Sequence, residues 1–142
     1  MSPKLQSWFS DYKAFHQTRG NEACHFVAVP TIVFSVLAMA GKVPIDASHG
    51  LYLAELVIAA SFVFYLFLDV RLAILMLVLS VGLDALGRFT PLGVAFGLFV
   101  GAWILQFVGH YVFEARSPAF FRNLTHLLVG PLWVLARATG QV

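Results

Sequence analysis

Four of the five histidines, His16, His25, His110 and His126, stand where polar segments meet long apolar runs. Imidazole is the commonest metal ligand among side chains, and an ionisable group at the edge of a membrane span is costly enough to mark function. His110 and Glu114 are four residues apart, hence on one helical face, just before Pro118 ends the helix. Imidazole nitrogens with a carboxylate and open positions suit non-haem iron(II), while three or four imidazoles would also hold zinc. Cys24 is the single cysteine, which excludes an internal disulfide and a thiolate zinc cluster. Each residue also has a plainer reading. Glu114 can pair with Arg116 at a helix end, Asn21 can serve as a helix cap, Tyr12 and Tyr111 as interfacial aromatics, and His49, in a polar turn, as a solvated side chain.

Whether His16 and His25 can share an ion depends on the backbone between them. On one unbroken helix they would lie about half a turn apart, on opposite faces. Gly20 is a good helix terminator and Asn21 a good N-cap, so the sequence predicts a break there, with a new helix from Glu22. The break lets the first helix fold back and bring His16 beside His25.

The elements that must do the positioning are apolar. Of 142 residues, 60% are apolar and only 11% charged, and the mean hydropathy is +0.84, which predicts an integral membrane protein. The expected fold is all-α: a helical bundle of four spans in one membrane-embedded domain, with an amphipathic N-terminal helix and a C-terminal re-entrant or half-inserted hairpin. Residues 1–20 form the interfacial helix, with Leu5, Trp8, Phe9, Tyr12, Phe15 and His16 at spacings of three and four. The spans are placed at 22–41, 51–68, 72–86 and 90–114, and the short hairpin, containing Gly130 and Pro131, at 124–136. Pro30 is expected to kink the first span, for packing or to shape a site. KVPIDASHG, residues 42 to 50, reads as a polar turn. Gly93, Gly97 and Gly101 share one face of the fourth span, a stripe for close packing within one chain or between the two copies of a homodimer. The net charge of +2 is small and its residues scattered, so nucleic acid is not a partner.

Cytoplasmic loops retain basic residues. With the amino terminus inside, Lys4, Lys13, Arg19, Arg71, Arg116 and Arg122 fall inside and Lys42 and Arg88 outside. The same assignment puts His16, His25, His110 and His126 at the cytoplasmic interface and His49 on the opposite side. No signal peptide is visible in the polar and aromatic first residues.

The motifs Y-x3-H-x4-N-x3-H-x4-P, from Tyr12 to Pro30, and Q-F-x-G-H-x3-E-x-R-x-P-A, from Gln106 to Ala119, resemble those of the Mpo family, the 2-hydroxy fatty acid dioxygenases of phytosphingosine breakdown and their bacterial relatives. The resemblance covers nearly the whole chain. It implies a membrane-embedded iron(II) oxygenase that uses dioxygen to shorten a 2-hydroxy fatty acid by one carbon. His16, His25 and His110 match the family histidines and are its implied catalytic ligands. His126, after the P-A motif, joins them in the expected metal set, with Glu114 or water as other choices for a fourth ligand. Glu114, Asn21, Tyr12 and Arg116 are expected around the metal or the substrate, and Arg19, Arg116 or Arg122 could hold the substrate carboxylate. In a bacterium the chain would lie in the inner membrane among lipid partners, the metal site facing the cytoplasm. Two other readings use the same residues: a non-catalytic lipid-binding or scaffold protein whose histidines make interhelical hydrogen bonds, and a zinc-dependent lipid hydrolase.

Overall fold

The structure, a computed structural model, describes residues 1–121 and 123–142; Arg122 lies outside the described residues. The chain is mostly helical: α1 (Pro3–Ala14), α2 (Arg19–Ala40), α3 (Leu53–Leu66), α4 (Val70–Arg88), α5 (Leu92–Val108) and α6 (His126–Ala138), with a small ribbon of β1 (Pro44–Asp46) and β2 (Leu51–Tyr52). A five-residue π-helical segment, Gly109–Phe113, continues α5. The chain forms two compact units, one of residues 1–30 and 101–142, the other of residues 31–100.

Several expected boundaries move, each for a physical reason. The interfacial helix stops at Ala14, not at residue 20, and the break falls at residues 15–18. Thr18 begins α2, its hydroxyl accepting from Asn21 N–H at 3.3 Å and its carbonyl from Glu22 N–H at 3.0 Å. Gly20 therefore lies inside a helix, where its missing side chain serves a close approach: a Cβ there would sit 2.4 Å from the Phe113 ring. Among the described residues, three helical stretches are long and apolar enough to cross a membrane, namely Arg19–Ala40, Val70–Arg88 and Leu92–Phe113. The stretch expected as a span at 51–68 contains a helix of only 14 residues, about 21 Å long, because β2 takes its first two positions. The 72–86 span is longer than expected, since Asp69 caps it through Leu72 N–H at 2.9 Å and the helix runs on to Arg88. The C-terminal stretch is one helix, not a hairpin, with Pro131 in its interior.

In the second unit, Leu37, Ala40, Ala54 and Ile58 form a core that Val33, Leu77 and Leu83 cover. Gly87 permits α4 to touch α2, for a Cβ there would lie 2.8 Å from the Ala38 Cα. Arg88 pairs with Glu55 and, at 3.1 Å, with Asp84. These pairs neutralise charge at the ends of α3 and α4. Among the described residues the glycine stripe of α5 meets nothing: a Cβ at Gly93, Gly97 or Gly101 would have no neighbour within 4 Å.

Candidate metal centre

The site lies within the first unit. Ala14 ends α1, and Phe15 N–H and His16 N–H bond back to the carbonyls of Tyr12 and Lys13 in a tight turn. His16 thus hangs from the break itself, not from the last turn of a longer helix. His25 follows in the second turn of α2, and His110 occupies the π-helical segment after α5. Such wide turns recur at functional sites because the extra residue re-aims side chains. All three imidazoles are buried. Their rings meet edge to face, with centroids 4.3 Å apart for His16 and His25 and 4.8 Å from each to His110.

Hydrogen bonding fixes the tautomers of two rings. His16 Nδ1–H donates to the Tyr12 carbonyl at 2.6 Å, and His25 Nδ1–H to the Asn21 carbonyl at 2.9 Å. A carbonyl only accepts, so each neutral ring keeps its bare lone pair on Nε2. Those two Nε2 atoms face each other at 3.1 Å. Two lone pairs at that distance repel unless a cation lies between them. A proton is a poor choice, because burial, and next the facing His25, pushes the His16 imidazole down to about 3. A metal ion fits: two nitrogens each about 2.1 Å from one ion and adjacent in its coordination shell lie about 3.0–3.4 Å apart. His110 adds a buried Nδ1 with no hydrogen-bond partner among the described residues, and one ligand atom from each of the three rings falls within 4.8 Å of the others.

Glu114 does not enter that group. Its carboxylate accepts from Gln17 N–H at 3.0 Å, Thr18 N–H at 3.0 Å, the Thr18 hydroxyl at 2.9 Å and the Asn21 amide at 3.3 Å. It caps α2 from 96 residues away in sequence, where negative charge also suits the helix dipole. Burial pushes the Glu114 carboxyl up, and the bonds from Thr18, Gln17 and Asn21 outweigh it and hold the group below the usual carboxylate range. Asn21, expected as the cap, instead donates to Glu114 and to the Phe15 carbonyl at 3.1 Å, tying the break to α2. Its Oδ1 packs at Gly109, where a Cβ would come within 2.5 Å.

Tyr12 stacks on His16 with centroids 4.0 Å apart and planes 12° apart. Its other neighbours are Trp133, at 5.1 Å, and His126, at 5.8 Å; burial pushes its phenol up. His126 is buried but stands outside the group of three. Its Nε2 bonds Asp11 at 2.8 Å, and its Nδ1 has no partner among the described residues. Arg116 is exposed, makes no ion pair with Glu114 among the described residues, and contributes a backbone N–H to the His110 carbonyl at 3.1 Å. Sequence reasoning missed Thr18, Asp11 and Trp133. Thr18 did carry a signal, being a favoured N-cap type three residues before Asn21; Asp11 and Trp133 carried none, since their partners are distant or their types ordinary for an amphipathic helix.

No solved structure matches the chain. It is 37% identical over 127 residues to the 2-hydroxy-palmitic acid dioxygenase MPO1 of Saccharomyces cerevisiae, covering 88% of this chain and 73% of the yeast protein. The family model described as 2-hydroxy-palmitic acid dioxygenase Mpo1-like matches residues 2–142, and the chain therefore belongs to the Mpo1-like family.

Proposed function

We propose that the protein is a membrane-embedded, iron(II)-dependent dioxygenase that removes one carbon from 2-hydroxy fatty acids, with His16, His25 and His110 as the metal ligands. The observation that carries this reading is the pair of facing Nε2 lone pairs at 3.1 Å, with His110 beside them. Relationship to a named dioxygenase selects the metal, because zinc has no redox chemistry with which to use dioxygen. Iron(II), when bound, supplies that redox chemistry.

The reaction needs no outside reductant. Breaking the C1–C2 bond, converting C2 from alcohol to carboxylic acid and releasing C1 as carbon dioxide removes four electrons, and dioxygen accepts four in supplying the new acid oxygen and a water. One centre in a small chain suffices. The chain's own residues do the rest. Tyr12 and Asn21 carbonyls hold His16 and His25 in the ligating tautomer. Glu114 locks the break that carries His16, and Trp133 and Tyr12 shield the rings from water. His126, bonded to Asp11, lies beyond Tyr12 as a supporting group in this reading. The amino terminus and the site face the cytoplasm, and the apolar helices lie among lipids as one domain.

Metal analysis of protein purified without chelator, with dioxygen uptake on 2-hydroxyhexadecanoate, tests the reading. About one iron per chain is expected, lost in a His25→Ala, His110→Ala variant, with no turnover under anaerobic conditions. Zinc in place of iron, or iron unchanged in the double variant, sinks it.

A further inference from the structure

A surface cleft of about 650 Å³ opens beside His16, lined by Phe9, Lys13, His16, Glu22, Trp133 and Arg137 among others. Its place is set by local structure. Lys13 and His16 are three residues apart where α1 turns into the break, so both reach the same side. Trp133, from α6, lies 6.1 Å from the His16 ring and lines the cleft with it. His16 thus joins the cleft to the metal-ligating group.

Its charges are unequal. Arg137 donates to Glu22 at 2.8 Å, so that pair is internally neutral. Lys13 is exposed, and its ammonium makes no hydrogen bond or ion pair among the described residues. The Lys13 ammonium is therefore the one charged side chain on the lining without a partner among the described residues, in a cleft that His16 and the terminal residues Met1 and Val142 also line. Gln17 and Ser10, also on the lining, offer neutral hydrogen-bonding groups, and Phe9 and Trp133 an apolar floor. That combination recognises a small anionic head carrying a hydroxyl, attached to an apolar chain.

We propose that this cleft is the head-group subsite of the enzyme and that Lys13 is its carboxylate-binding residue, rather than Arg19 or Arg116. The assignment rests on the oxygenase reading for its substrate class, but the binding it asserts is separable from turnover. Arg19 and Arg116 do not line the cleft. Lys13 contributes a point charge on a flexible stem, suited to drawing a carboxylate toward His16 without fixing one geometry.

The test is equilibrium binding of radiolabelled 2-hydroxyhexadecanoate and of hexadecan-1-ol to the full chain in zwitterionic lipid nanodiscs, with protein-free discs subtracted. Lys13→Met is expected to weaken the acid about 10-fold or more, as loss of a charged hydrogen bond does, and to leave the alcohol within about twofold. Lys13→Arg is expected to keep most of the affinity for the acid. Unchanged acid binding in Lys13→Met, or equal losses for acid and alcohol, overturns the subsite. Phosphatidic acid competing as well as the hydroxy acid also overturns it, since the cleft would then be a general site for anionic lipids. Iron content and dioxygen uptake on the same preparations report on the oxygenase separately: a Lys13-dependent preference in protein that never takes up dioxygen keeps the subsite and removes the oxygenase.

Discussion

Glu114 offers the sharpest test of how this site is held, because its types and spacing suggest a metal ligand while its contacts make it a clamp. Replacing it with alanine strips α2 of its cap and leaves the N–H groups of Gln17 and Thr18 and the Asn21 amide without their acceptor. Loss of a helix cap costs about 0.5–2 kcal/mol, and loss of a favourable charge at the N-terminus about 0.3–1 kcal/mol. Water reaches the half-buried carboxylate and repairs part of the lost bonding, so the expected total is about 1–3 kcal/mol. Glutamine keeps one oxygen for Thr18 and Asn21 but turns an NH2 toward Gln17 N–H, and should cost about half as much. The assay is unfolding of metal-free protein in detergent, where ligation contributes nothing. A ligand role predicts the opposite pattern: metal-free stability unchanged, with iron affinity lost. Equal metal-free stability of wild type and Glu114→Ala would refute the clamp.

Two further outcomes follow from distances. Gly109→Ala places a Cβ 2.5 Å from Asn21 Oδ1 and 3.0 Å from Cys24 Cβ, which should cost about 1–3 kcal/mol and reduce iron content; Gly97→Ala, in open space, should cost nothing and retain iron, both read by unfolding and metal analysis. The second concerns pH. His16 is held in its neutral form when folded, pushed down to about 3, so the unfolded chain binds the extra proton as pH falls below its ordinary value near 6.5. Stability of metal-free protein should therefore be highest above about 6.5 and fall toward pH 3, by up to about 1.4 kcal/mol per unit from this group. Between pH 6.5 and 5, where carboxylates contribute little, His16→Gln should flatten the slope; an equal slope in both proteins would show that His16 is not the titrating group.

Sequence periodicity located the helices well because hydropathy and caps are local quantities. Asp69 marks a helix start by its own chemistry, whereas the helix expected to run to Pro118 ends already at Phe113; the break between His16 and His25 follows from composition alone. Its position does not. The break sits at residues 15–18 because Glu114 supplies an acceptor there, and nothing within a helical window reveals a partner 96 residues away. Asp11 and His126 are likewise joined across 115 residues, which is why four histidines at one depth look alike in sequence while the structure gathers only His16, His25 and His110. Gly20 reads as a terminator locally and proves to be an opening for Phe113. The 14-residue α3 looked like a span because its apolar neighbours in β2 are indistinguishable from helix by hydropathy.

Charge explains why a carboxylate that binds no metal nevertheless stands beside three imidazoles. Three neutral ligands leave the full double charge of a divalent ion in a buried, apolar setting, which is expensive unless countercharge lies close. Glu114, bonded to the break that carries His16 and to Asn21, supplies one negative charge without occupying a coordination position. On the proposed reading one positive charge remains, and a substrate carboxylate entering past Lys13 cancels it. The site then discriminates by electrostatics as well as shape: an acid completes the charge balance of the centre, and an alcohol or ester of the same chain length does not. On that reading an ion held by the three imidazoles would keep open positions for substrate and dioxygen, because the carboxylate stands one shell out, where it fixes the backbone and would offset the ion's charge.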